Sequence, residues 1–244
     1  MDLKNMGKFT FVAEPYITDF RGRVTIPMIG NYMLQSASEH AGGRGFGFND
    51  MFDKNTAWVL SRLAIEMREL PKSNDAFYIY TWIEDTGKLF TNRNFEIHNA
   101  DEQVIGYGRS IWAAIDINTR RATSLDVESL SAYFVDRPCP IEKPGKIAPA
   151  ETDGEQEIPY SIKYSDLDIN GHLNSIKSME HLLDLFDLDT YTHKEITRFE
   201  IAYHAEGRYG MDLGLFRKEV APDQYATAIM HEGKAICRAA IHWK

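Results

Sequence analysis

Cysteine is nearly absent from this 244-residue sequence, which holds only Cys139 and Cys237, far apart and in no C-x-x-C spacing. That excludes a disulfide framework and a cysteine zinc site, and predicts two reduced, inertly packed thiols. Long apolar runs are missing too: none approaches the roughly 18 residues of a membrane-spanning helix. The start, Met1-Asp2-Leu3-Lys4-Asn5-Met6-Gly7-Lys8, lacks the apolar stretch of a secretory signal, so a cytoplasmic protein is expected. Basic residues are in deficit, 27 Lys+Arg against 36 Asp+Glu, a net charge of −9. Such a balance argues against a nucleic-acid partner and leaves an acidic partner only a local basic patch. Eight histidines are present but no H-E-x-x-H, so no metal is expected. The glycine run Gly42-Gly43-Arg44-Gly45-Phe46-Gly47 follows a helical pattern rather than a strand, which reads as a helix end and not as a nucleotide loop.

What is present, 43% hydrophobic and 26% charged residues, describes a globular chain. Phe9 to Ala13 reads as a short strand, followed by turn residues Asp19-Phe20-Arg21-Gly22-Arg23. A helix is predicted from Pro27-Met28 through Tyr32, Met33, Ala37 and Ala41. Trp58 to Met67, Phe77 to Ile83, Phe90 to Ile97 and Val104 to Ile115 then form β-branched and aromatic runs separated by turn signals. The same order recurs after a Pro-rich stretch. Ile158 to Tyr164 alternates as a strand, and Ile176, Met179, Leu182, Leu183 and Phe186 fall at helical spacing. Thr197 to Ala205, Leu213 to Val220, Tyr225 to His231 and Ala235 to Trp243 complete four strands. The expected organisation is residues 1–119, a crossing linker 120–156 ending in Glu151-Thr152-Asp153-Gly154-Glu155, and residues 157–244.

One helix per half cannot cover a five-stranded sheet unless the sheet curls around it or packs on a second sheet. The α+β class with two tandem hotdog domains, each an antiparallel sheet wrapped around a central helix, satisfies both halves. An α+β sandwich fits the pattern as well. The densest polar cluster is Asp166-Leu167-Asp168-Ile169-Asn170-Gly171-His172-Leu173-Asn174, just before the second helix. In an extended segment Asp168, Asn170 and His172 share one face, where unpaired helix N–H groups favour a developing oxyanion. Helix capping by Asp and Asn is the competing explanation, with Asn174 as the cap.

The run D-L-D-I-N-G-H-L-N-S, Asp166 to Ser175, resembles the D-L-D-x-N-x-H-x-N-N signature of the acyl-ACP thioesterases. The N-terminal half is similar to the same family through W-V-L-S-R at Trp58 to Arg62, T-W-I at Thr81 to Ile83, and S-I-W-A-A-I-D-I-N-T-R-R at Ser110 to Arg121. The resemblance implies release of free fatty acid from acyl-[acyl carrier protein], with no cofactor and with the phosphopantetheine-linked carrier as partner. It implies Asp168, Asn170, His172 and Glu206 as the catalytic set, Glu206 through Ala202-Tyr203-His204-Ala205-Glu206-Gly207. Gly207 stands where many plant members have Cys, which leaves attack by carboxylate-activated water, Glu206 being favoured as base over Asp168. Ser175, Ser178 and His181 also depart from the family pattern. The first half leads into its helix without Asp, Asn and His in this spacing, so one active site per chain is expected. That half should shape the acyl tunnel, with Met28, Tyr32, Met33 and Trp58 as candidate lining. Arg44, Arg62, Arg68, Arg93, Arg198 and Arg208 are candidates for the basic patch that an acidic carrier requires. An acyl-CoA thioesterase and a non-catalytic acyl-binding module share these features, and either a monomer or a homodimer is compatible with them.

Overall fold

The computed structural model describes residues 5–151 and 157–244; residues 152–156 of the expected linker and the first four residues lie outside them. The chain divides into two units, Met1–Lys143 and Pro144–Lys244.

In the first unit, Thr25 Oγ1 accepts the N–H of Met28 and Pro27 occupies the first turn, which starts α1, Ile26–Gly42. Ile26, Ile29, Met33, Ala37 and Ala41 recur every three or four residues and form its buried stripe; the helix stops at Gly42-Gly43. The strands β1 (Gly7–Val12), β2 (Thr56–Met67), β3 (Ala76–Thr86), β4 (Phe90–Asn99) and β5 (Val104–Asp116) pair antiparallel in the order β1-β3-β4-β5-β2. α1 packs against β1 and β3. Around it Leu63, Phe77, Ile79, Phe95 and Ile97 are fully buried. Tyr32 on α1 stands edge-on to Phe77, with ring centroids 5.3 Å apart, and also meets Phe11. After the glycine run comes a short helix, α2 (Phe48–Asp53), nucleated by Asp50 accepting the N–H of Gly47.

Residues 120–143 pack on the first unit. They carry α3 (Val127–Ser131), Val135 donates its N–H to Ile83 O, and Trp82 Nε1 donates to Arg137 O at 2.9 Å. Cys139 and Ile141 bury the other side of Trp82. On the far side of the division, Ala150 packs on Ala226 and Ala228 of the second unit.

The second unit repeats the plan with β6 (Ile158–Ser161), α4 (Ser175–Leu183), α5 (Leu188–His193), β7 (Ile196–Tyr203), β8 (Asp212–Ala221), β9 (Gln224–His231) and β10 (Lys234–Trp243). Its strands run antiparallel in the order β7-β10-β9-β8-β6. Glu232 and Gly233 both take positive φ, 47° and 73°, the two-residue hairpin geometry that matches strand twist. β6 ends earlier than its alternation predicts, because Tyr164–Asp166 coil into a single tight helical turn. No helix among the described residues is long and apolar enough to cross a membrane.

Candidate active site

The polar cluster lies between β6 and α4. Asn174 caps α4, its Oδ1 accepting the N–H of Ile176 at 2.7 Å, as the capping reading expects. The residues before it are not extended, which corrects the one-face argument. They form a closed turn in which Asp168 N–H donates to His172 O (2.8 Å) and Gly171 N–H to Asp168 O (3.0 Å). Asp168 Oδ1 accepts the N–H groups of Asn170 (2.8 Å) and His172 (3.0 Å). Gly171 takes φ +74°, a conformation that costs other residues strain. The competing force is local: an aspartate can bond the backbone two residues on, and here that bond closes the turn while pairing is confined to the single bridges Leu167–Leu173 and His172–Arg208.

The chain after β7 supplies the partner. Leu173 N–H donates to Gly207 O at 2.8 Å and His172 bridges Arg208, so the two segments run side by side. This brings His172 Nε2 to 3.1 Å from Glu206 Oε2, with side chains 21% and 37% exposed, so the pair is open to substrate and water. Arg208 Nη2 lies 3.8 Å from the same oxygen. Asn170 is exposed at the tip of the turn, next to Ile169. Of the four expected residues, His172 and Glu206 meet directly, Asp168 braces the turn, and Asn170 stands on it.

Below the turn is a network that the sequence reading did not single out. Asp166, 2% exposed, accepts from Tyr160 OH (2.7 Å) and Lys163 N–H (2.8 Å) on one oxygen and meets His181 Nε2 (3.0 Å) on the other. Its backbone carbonyl takes the N–H of Asn174. Burial pushes the Asp166 carboxyl up, but the Lys163 and Tyr160 hydrogen bonds and His181 outweigh it and hold the group below its ordinary value. His181, which departs from the family pattern, is therefore a partner of Asp166 across α4. The signal was in the sequence: the first Asp of D-L-D precedes a helix that carries a histidine two turns in.

The departures at Gly207 and Ser178 also have local explanations. A Cβ on Gly207 would lie 2.7 Å from Ile162 Cδ1 and 3.0 Å from Leu173 Cβ, so neighbouring apolar groups occupy the space a cysteine needs. Ser178 Oγ donates to Asn174 O. Cys139 and Cys237 are free and buried, and burial pushes the Cys237 thiol up to about 12, far from a nucleophile. Among the described residues no three His, Cys, Asp or Glu are placed to hold a metal ion.

In the first unit Met33 is fully buried with its methyl over Gly108, Tyr32 packs between Phe11 and Phe77, and Trp58 Nε1 donates to Phe46 O at 2.8 Å. Met28 is half-buried on α1. The arginines are not one class. Arg93 is 5% exposed and donates to His40 Nδ1 and Thr81 Oγ1, which corrects its place in a surface patch. Burial and the Arg93 charge lower His40 to about 3, keeping it neutral as the acceptor. Arg44 is tied to His40 O and Arg198 to Glu200, whereas Arg68 and Arg208 are exposed.

A five-stranded antiparallel sheet around one long helix, and a second such unit with a polar turn ahead of its helix, define a tandem hotdog protein with a half-buried histidine–carboxylate pair. Family models agree on both units: residues 5–133 match the acyl-ACP thioesterase N-terminal domain and residues 150–244 its C-terminal domain. The chain belongs to the acyl-ACP thioesterase family. The crystal structure of an acyl-ACP thioesterase from Bacteroides thetaiotaomicron is 42% identical, covers 100% of both chains and superposes with a TM-score of 0.95. The 12:0-ACP thioesterase from Umbellularia californica shares the fold, with a TM-score of 0.84 at 20% identity over 98% of this chain and 97% of that one. An oleoyl-acyl carrier protein thioesterase of Arabidopsis thaliana is 29% identical over 78% of this chain and 57% of its own. The chain spans about half the length of the curated relatives it matches.

Proposed function

We propose that the chain hydrolyses the thioester of acyl-[acyl carrier protein] and releases free fatty acid. The observation that carries the reading is the His172 Nε2–Glu206 Oε2 contact of 3.1 Å at an accessible turn ahead of α4. Glu206 takes a proton from water, the resulting hydroxide attacks the thioester carbonyl carbon, and the tetrahedral intermediate expels the thiolate, which takes up that proton. His172 fixes the Glu206 carboxylate, and Asn170, exposed on the same turn, donates to the carbonyl oxygen as it becomes an oxyanion. Asp168 acts here as a positioning residue, since its Oδ1 already accepts two backbone N–H groups. This role is narrower than the one the resemblance implies. In the first unit Met28, Tyr32, Met33 and Trp58 are the proposed acyl contacts, the two unbranched methionines being the side chains most able to yield to a chain.

The test offers the purified protein a chain-length series of acyl-ACPs beside the matching acyl-CoAs and measures thiol and fatty acid released. Preference for ACP, with Glu206→Gln lowering kcat by about 10²- to 10⁴-fold, supports the reading. Preference for CoA replaces the donor but keeps the chemistry. Acyl binding without hydrolysis of either donor overturns the enzyme assignment.

A further inference from the structure

Glu206 stands on a three-residue excursion from the sheet. β7 ends at Tyr203, His204 and Ala205 both donate their N–H groups to Ile236 O (2.9 and 3.2 Å), and residues 204–206 are exposed while Gly207 is buried. Both ends of the excursion are tied to the segment that carries His172. At the far end Leu173 N–H donates to Gly207 O at 2.8 Å. At the near end the Tyr203 phenol donates to Ser175 O at 2.9 Å, linking β7 to the first residue of α4. The first bond lies one residue from His172 and from Glu206, the second three residues from each.

The first unit makes the same excursion without the second tie. β2 ends at Met67, Arg68 and Glu69 donate their N–H groups to Ile105 O (2.8 and 3.3 Å), and Val24 N–H donates to Pro71 O at 2.9 Å. In this register Met67 stands where Tyr203 does, Leu70 where Glu206 does, Arg23 where His172 does and Ile26 where Ser175 does. Backbone pairing therefore forms the excursion unaided, and a buried apolar side chain suffices at its root, Met67 being 6% exposed. The Ser175 carbonyl does not depend on the phenol either, since within α4 it already has the N–H four residues on. The hydroxyl is present in the unit with a histidine–carboxylate pair to align and absent from the root of the excursion in the unit without one.

We propose that Tyr203 is a positioning residue of the site: its phenol, tying Ser175 to the root of the excursion, holds Glu206 at contact distance from His172. One backbone bond fixes a point and leaves rotation about it. A second tie, on the other side of Glu206, removes that freedom and with it the spread of distances at which the carboxylate can meet the imidazole. Burial pushes the Tyr203 phenol well above its ordinary pKa, so it stays protonated and remains a donor through the neutral range. The kinetic consequence rests on the proposed function; the geometric one does not.

Tyr203→Phe keeps the ring and removes the tie. Ser178→Ala is its control: it removes the Ser178 Oγ–Asn174 O bond of 3.2 Å, which joins α4 to its own cap and not to the excursion. Each carbonyl left behind keeps a helical donor, so both variants should fold, with Tm lower by no more than about 4 °C. The His172 ring is titrated by NMR in the natural protein, in both variants and in Glu206→Gln, a readout that needs no turnover. The expected result is that the Tyr203→Phe titration moves toward that of Glu206→Gln while Ser178→Ala stays with the natural protein. With acyl-ACP as substrate, Tyr203→Phe should lower kcat about tenfold and leave KM within about twofold. A misplacement of about 1 Å can cost on the order of 10²-fold, and the Leu173–Gly207 bond that remains limits the movement. A His172 titration in Tyr203→Phe that matches the natural protein, or equal kcat losses in the Tyr203 and Ser178 variants, overturns the proposal. A moved titration in a protein that hydrolyses no thioester supports the positioning role and overturns the hydrolase reading instead.

Discussion

Replacing Asp166 separates two effects that the network under the Asp168–His172 turn combines. Asp166→Ala removes the acceptor for Tyr160 OH, Lys163 N–H and His181 Nε2, which it meets at 2.7, 2.8 and 3.0 Å. A buried donor left unsatisfied costs about 1–3 kcal/mol, and Tyr160 and His181 retain some access to water, so about 1 kcal/mol each is the appropriate figure. The sum, about 3 kcal/mol, corresponds to a Tm lower by roughly 6–12 °C for a chain of this size. Asp166→Asn keeps an oxygen for Tyr160 and Lys163 and presents an NH₂ group to His181, whose neutral ring can accept it, so about 1 kcal/mol is lost. The pH dependence has a definite sign. The Asp166 carboxyl is held below its ordinary value, so its stabilisation is present above about pH 4 and is lost as pH falls below that. Thermal unfolding of the three proteins between pH 3 and 8 therefore gives a gap between the natural protein and Asp166→Asn that closes in acid. Equal losses in the Ala and Asn variants, or a gap that widens in acid, refute the reasoning. Because the Asp166 carboxylate ties Lys163, Tyr160 and His181 together beneath the turn, kcat should fall in the Ala variant while KM changes little.

Other consequences are simpler to check. His172→Ala should lower kcat by about 10²-fold or more without abolishing the fold, measured by thioester hydrolysis and circular dichroism. Gly207→Ala places a methyl against Leu173 Cβ and Ile162, so chemical denaturation should show a loss of about 1–3 kcal/mol; an unchanged midpoint would mean that the two segments separate freely. Asn174→Ala removes the α4 cap and should cost about 1 kcal/mol in the same assay. Neither Cys139 nor Cys237 should react with a thiol reagent until the protein unfolds, since both are buried and burial raises both thiols.

The elements were largely written in the sequence. Period-two runs such as Phe77 to Ile83 and the three-to-four spacing of Ile29, Met33 and Ala37 depend on nearest neighbours and a single buried face, so they survive without knowledge of the partner element. The motif from Asp166 to Ser175 and its companion near Glu206 were legible for the same reason, as short strings whose order along the chain carries their identity. Residues 120–143 were harder to place. Their lack of periodicity is real, yet Trp82 and Arg109 bind Arg137 and Ile141 through backbone carbonyls, which any residue type supplies and no pattern announces. Similarly, Arg93 reads as a surface cation until His40 and Thr81 are seen to face it from α1 and β3.

Sequence alone determined the twofold plan, the one long helix of each half and most of its strands, and the four residues proposed for the chemistry. Tertiary structure decided that Asp168 spends its oxygen on backbone N–H groups, that His172 meets Glu206 across two antiparallel segments, and that Asp166 anchors the turn from below. The division follows from range. Hydrophobic periodicity and turn chemistry act over a few residues, while a contact between side chains 34 positions apart depends on where the intervening helices and strand carry them.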